Sequence, residues 1–116
     1  MDALDYFCLE VSSTAMSVKK QYLKKSPVCK VTFSVAKAAV GSAAKVSLVG
    51  DFNDWSHHST PMKRLKDGTF AATLTLQPNK EYHYRYLVDD LRWENDWDAD
   101  KYVPNSYGGD DSVIVL

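Results

Sequence analysis

Long apolar runs are missing. Nowhere does the chain approach the roughly 20 consecutive apolar residues that a helix needs to cross a bilayer, so no membrane contact is expected. Cysteine is scarce as well. The two present, Cys8 and Cys29, have no metal-ligand spacing and are too few for a disulfide framework, which points to a reducing compartment. There is no basic excess: a net charge of −1 argues against a dedicated nucleic-acid binder. Asp2 and Asp5 make the N-terminus acidic where a signal peptide is basic, so the expected location is cytoplasmic. Extended helical periodicity, internal repeats and low-complexity tracts are also lacking. What remains fits one globular domain. Its 116 residues, 45% apolar and 25% charged, suffice to bury a core without metal or disulfide staples.

The most informative stretch is Leu48-Val49-Gly50-Asp51-Phe52-Asn53-Asp54-Trp55. An apolar pair runs into Gly, Asp and Asn, residues that tolerate positive φ or hydrogen-bond their own backbone, so a strand should end here in a tight turn. A turn ending in Trp is unusual, because loops are solvated and Trp carries a large apolar surface. Trp55 therefore either folds onto the core or is displayed as a binding platform.

Along the chain, residues 1–27 read as an N-terminal extension and 28–116 as the folded domain. Residues 1–15 differ in character from the rest of the chain and precede Met16-Ser17-Val18-Lys19-Lys20, which has the look of a second translation start. They are a non-native extension, a frayed arm or a short amphipathic helix. Lys19, Lys20, Lys24, Lys25 and Lys30 form a short basic stretch of the kind usually found on a solvated face. From 28 to 35 the period is two: Cys29, Val31, Phe33 and Val35 share one face of a half-buried strand. The Ala-rich segment 36–44 is a loop or one helical turn, and 45–49 is a second strand. Asp67-Gly68 signals a hairpin between a short strand at 62–66 and a longer one at 69–76. The clearest alternation runs from 81 to 88, with Tyr82, Tyr84, Tyr86 and Val88 on one face and His83, Arg85 and Leu87 on the other. Residues 94–109 read as an acidic, aromatic-rich loop, and 112–116 as a closing strand. Short strands punctuated by Gly, Pro and Asp turns predict an all-β, antiparallel β-sandwich of about seven strands.

These motifs resemble a known family. Val49-Gly50-Asp51-Phe52-Asn53-Asp54-Trp55, then Pro61-Met62, Asp67-Gly68-Thr69-Phe70, Tyr84-Arg85-Tyr86-Leu87-Val88-Asp89 and Trp93, are similar in order and spacing to the glycogen-binding modules. This is carbohydrate-binding module family 48, the isoamylase N-terminal or early-set domain, found in the β subunit of AMP-activated protein kinase and in branching enzymes. The opening at Met16 also resembles small bacterial proteins made of this domain alone. The resemblance implies an immunoglobulin-like early-set sandwich and non-catalytic binding of α-1,4-glucans such as glycogen, starch or maltooligosaccharides. It puts Trp55 and Trp93 in the positions of two sugar-stacking rings and Arg85 in that of a basic contact. Asp111 stands where an Asn bonds sugar hydroxyls, and Tyr107 where an apolar contact lies. The expected partners are an α-glucan and, among proteins, a glycogen-metabolising enzyme; no cofactor is expected. The competing reading is a module of the same fold that docks on proteins and binds no sugar.

The chemistry suits the first reading. A glucose ring has an apolar C–H face on which an aromatic ring can stack without loss of hydrogen bonds. Arg85, opposite the tyrosine face, should point to solvent and donate to hydroxyls. Trp97 either extends the platform or anchors the acidic loop. Enzyme readings are poorly supported. Asp54, Ser56, His57 and His58 are sequence neighbours in a turn, and such neighbours rarely converge as a nucleophilic triad. Asp89, Asp96, Asp98 and Asp100 offer carboxylates for glycosidase chemistry, but the catalytic barrel of the multidomain relatives is absent from this sequence. Asp96, Asp98 and Asp100 imitate the start of a calcium loop, yet Lys101 stands where that loop needs Gly.

Overall fold

The computed structural model describes residues 16–23, 27–106 and 108–116. Residues 1–15, with Cys8, lie outside the described residues, as do Lys24 and Lys25 of the basic stretch and Tyr107 of the expected site. In chain order the elements are β1 (Met16–Tyr22), β2 (Cys29–Val35), a helical turn α1 (Lys37–Val40) and β3 (Val46–Gly50). A 3₁₀ turn (Asp51–Asn53) precedes β4 (Lys63–Arg64), β5 (Phe70–Leu76) and β6 (Glu81–Val88). Next come β7 (Arg92–Glu94), β8 (Lys101–Pro104) and β9 (Asp110–Val115). One sheet has the order β1-β2-β5-β4 and the other β3-β6-β9-β8, with β7 also paired to β6. All pairings are antiparallel.

Two-residue alternation builds the core from both sides. Cys29, Val31, Phe33 and Val35 of β2 are buried, and so are Tyr82, Tyr84, Tyr86 and Val88 of β6. The two faces meet where Phe33 packs edge-on against Tyr84, with ring centres 5.1 Å apart. Burying such an apolar side chain contributes about 1.5–3 kcal/mol. Cys29 is a buried free thiol, as its place in the alternation implies.

The sandwich holds nine strands among the described residues, against the seven or so expected. The additional strands are the ones whose pattern is masked. In β1 the adjacent pair Lys19-Lys20 hides the alternation. The strand nevertheless pairs with β2 along its whole length, and Lys20 turns to Asp100 and the Val115 carbonyl. Residues 16–22, grouped by sequence with the extension, thus form one edge of a sheet. β7 and β8 are three and four residues long, too short to declare a period.

The acidic segment between β7 and β8 is tied down residue by residue. Asp98 Oδ2 accepts the Val18 N–H at 3.3 Å, and Asp100 Oδ2 accepts the Val115 N–H at 2.7 Å. Asp96 is fully buried: one carboxylate oxygen accepts the hydroxyls of Tyr84 at 2.7 Å and Tyr86 at 3.0 Å, and the other accepts the Asp98 N–H at 2.9 Å. Burial pushes the Asp96 carboxyl above its ordinary value, although the hydrogen bonds it accepts oppose that shift. Burial, reinforced by the Asp96 charge, raises the hydroxyls of Tyr84 and Tyr86 far more.

A consequence is expected at high pH. In the unfolded chain both tyrosines ionise near their ordinary value of 10.0, while in the fold they keep their protons above it. Their contribution is complete below pH 10 and declines as pH rises beyond it, by about 1.4 kcal/mol per pH unit for each tyrosine. Thermal melts between pH 9 and about 11.5 should therefore show a steep fall in Tm, and Tyr86→Phe should flatten it. An equal slope in that variant would contradict this origin.

Candidate functional site

The turn after β3 is built by its own side chains. Asn53 Oδ1 accepts the Gly50 N–H at 3.1 Å, and Asn53 Nδ2 donates to the Leu48 carbonyl at 2.9 Å and to Thr60 Oγ1 at 3.0 Å. The chain then passes through two left-handed residues, Asp54 at φ 56° and Trp55 at φ 57°. Asp tolerates this conformation, but for a bulky residue such as Trp it is rare and costs roughly 1–3 kcal/mol. Its effect is to separate the two aromatics. Phe52 goes inward, 5.8 Å from Phe33 and 6.3 Å from Tyr84 between ring centres. Trp55 goes outward and is half-exposed. Of the two outcomes open to Trp55, a core plug is thus not the one adopted; Phe52 fills that role.

Asp51 fixes the outward ring. Its Oδ1 accepts the Trp55 indole N–H at 2.9 Å, and its Oδ2 accepts the backbone N–H of His83 at 2.8 Å. One carboxylate thereby joins the indole to β6.

Arg85 occupies a junction in the same sheet. On one side β6 pairs with β9 over residues 81–84 and with β7 over 86–88, leaving Arg85 between the two. Trp93 is the partner of Leu87, diagonal to Arg85 on the outward face. Diagonal neighbours on a sheet lie within reach of long side chains. The Arg85 guanidinium sits 5.5 Å from the centre of the Trp93 ring, a cation–π arrangement, and His57 meets that ring edge-on at 5.2 Å. Arg85 Nε is buried and has no hydrogen-bond partner among the described residues. The hairpin that carries Trp93 is anchored by Asp89, whose Oδ1 accepts the N–H groups of Ala44 at 2.8 Å and Lys45 at 3.0 Å.

Trp55, Arg85, Trp93 and Asp111 all line one groove of 860 Å³. Asp51, His57, His83 and Asn105 line it too, and sequence reasoning had not assigned them to a site. His83 had a legible signal: it lies two residues from Arg85 on the same face of the strand. Asp51 lies inside the motif that carries the resemblance and His57 in the set weighed as a triad, but neither pattern pointed to the groove; Asn105 had no signal, since loops carry no period. Trp97 is elsewhere. It does not line the groove, it is 60% exposed, and Asp96, Asp98 and Asp100 do the anchoring of the acidic segment.

Several residues of the enzyme-like and metal-like sets are taken up by the turn and the acidic segment. Ser56 Oγ accepts the Ser59 N–H at 3.2 Å and so serves the turn. Asp96, Asp98 and Asp100 bond to different partners, and no cluster able to hold a metal ion forms among the described residues. No helix among the described residues is long and apolar enough to cross a membrane.

No curated protein matches the chain. The pattern of carbohydrate-binding module 48 (isoamylase N-terminal domain) does match, over residues 30–103. That span is more than half of the chain and carries both the turn bearing Trp55 and the hairpin bearing Trp93, so the protein belongs to the carbohydrate-binding module 48 (isoamylase N-terminal domain) family.

Proposed function

We propose that the groove binds an α-1,4-glucan, such as glycogen, starch or a maltooligosaccharide, without catalysing a reaction on it. One observation carries this reading. A Trp is held half-exposed on a strained backbone, its indole pinned by Asp51, across a groove from an Arg–Trp pair with an unpartnered guanidinium nitrogen. Trp55 supplies an apolar face for a sugar ring, and Arg85 supplies donors for its hydroxyls. Trp93 adds a second aromatic surface beside the guanidinium. By analogy with stacking on nucleobases, each ring contributes roughly 1–3 kcal/mol, giving dissociation constants of about millimolar to micromolar. Tyr107 belongs to the proposed site by resemblance alone. The buried free Cys29 fits a cytoplasmic setting, where a glycogen-metabolising enzyme is the protein partner that suits the ligand.

The test is a calorimetric titration with maltoheptaose and with glycogen. Wild type should bind, and Trp55→Ala should lose at least about tenfold in affinity, the equivalent of about 1.4 kcal/mol. Its Tm should change little, because Trp55 is only partly buried on the turn and Phe52, not Trp55, packs on the core. A wild type that binds neither glucan would leave the protein-docking reading as the better one.

A further inference from the structure

The carboxylate that resemblance assigns to sugar hydroxyls is engaged within the protein. Asp111 Oδ1 accepts the Asn105 side-chain amide at 3.0 Å, and its Oδ2 lies 3.3 Å from His83 Nδ1. The Asp111 side chain is only 13% exposed, whereas that of His83 is 34% exposed. His83 lines the groove on the same strand face as Arg85, and Asp51 holds its backbone N–H along with the Trp55 indole. The histidine is thus fixed at two points, main chain and ring, beside both halves of the site.

The chemistry of the pair decides which nitrogen is left over. A carboxylate only accepts, so the proton between the two groups resides on Nδ1, and in the neutral ring Nε2 is the acceptor. Among the described residues Nε2 makes no hydrogen bond. We propose that His83 is a polar specificity contact of this groove beside Arg85, meeting a sugar hydroxyl through Nε2, and that Asp111 is a positioning residue that acts through His83. This rests on the glucan reading given above. It adds to the rings, which recognise any sugar with an apolar face, a group that selects for a hydroxyl at one place.

Two amide substitutions separate the roles, because Asn imitates the Nδ1 position of histidine and Gln imitates the Nε2 position. His83→Asn keeps a partner for Asp111 but removes the groove contact, and should weaken maltoheptaose binding about three- to tenfold. His83→Gln should stay within about twofold of wild type, consistent with retention of one neutral hydrogen bond. Asp111→Ala should weaken binding in wild type but add nothing in a His83→Leu background. In NMR titrations the His83 Nε2 resonance should move on addition of maltoheptaose. The proposal is overturned if His83→Asn binds like wild type while His83→Gln does not, or if Asp111→Ala costs the same in both backgrounds. Failure of wild type itself to bind maltoheptaose would instead take down the glucan reading, and this assignment with it.

Discussion

Gly50→Ala should destabilise the protein by about 3 kcal/mol or more, among the larger effects of adding a single methyl group. The reason is not the dihedral angle. Gly50 has φ −176° and ψ −169°, an extended backbone open to any residue. The obstacle is proximity: a Cβ at this position would lie 2.5 Å from the His83 carbonyl oxygen, 2.7 Å from Tyr84 Cβ and 2.9 Å from Tyr84 Cα. None of these is the flexible end of a side chain, so β3 would have to part from β6. The Asn53 bond to the Gly50 N–H and the Trp55 N–H bond to the Gly50 carbonyl, at 2.9 Å, would move with it. For a domain of this size a loss of 3 kcal/mol corresponds to a fall in Tm of roughly 12–24 °C. Gly109→Ala is the natural comparison, since its Cβ would meet nothing nearer than Asn105 Nδ2 at 3.9 Å. It should stay within about 0.5 kcal/mol of wild type. Equal melting temperatures for the two variants would refute the account.

The second large effect is expected at Asp96. Asp96→Ala strands two buried tyrosine hydroxyls and the Asp98 N–H, each of which then lacks its acceptor. An unsatisfied buried donor costs about 1–3 kcal/mol, and removal of a buried, desolvated charge gives part of that back. The net loss should be about 3 kcal/mol, read by urea denaturation, with Tyr84→Phe costing less. The double variant Asp96→Ala, Tyr84→Phe should be less destabilised than the sum of the singles, because both remove the same bond. Strict additivity would mean that the network does not hold this end of the sandwich. The pH dependence carries a further sign. With the Asp96 carboxyl raised in the fold, its contribution is present at low pH and is lost as pH rises through that elevated value. Asp96→Asn should abolish that component.

Much of the architecture was readable from residue order. The alternation in β2 and β6 named the buried faces correctly, because a strand's inward and outward positions follow from neighbours two apart. The hairpin at Asp67-Gly68 was equally local: Asp67 Oδ1 accepts the Thr69 N–H at 2.9 Å. What escaped notice were β1, with its paired lysines, and the brief β7 and β8, where pairing with an already formed strand outweighs a weak intrinsic pattern. Gly50 was legible as a special residue but for the wrong reason, since a turn glycine and a close-approach glycine look alike in one dimension. The inward course of Phe52 and outward course of Trp55 were also undecided, because both flank the same turn.

By itself, then, the sequence determined the all-β class, the two core faces, and a set of residues whose order resembles a sugar-binding family. Those are properties of short windows and of spacing. The groove is not such a property. It exists because β6 exchanges β9 for β7 at Arg85, because two left-handed residues throw Trp55 outward, and because Asp51 and Asp111 each reach His83 from distant parts of the chain. Register between strands and the hydrogen bonds that close across them bring these groups within a few ångströms of one another, and only the folded chain specifies both.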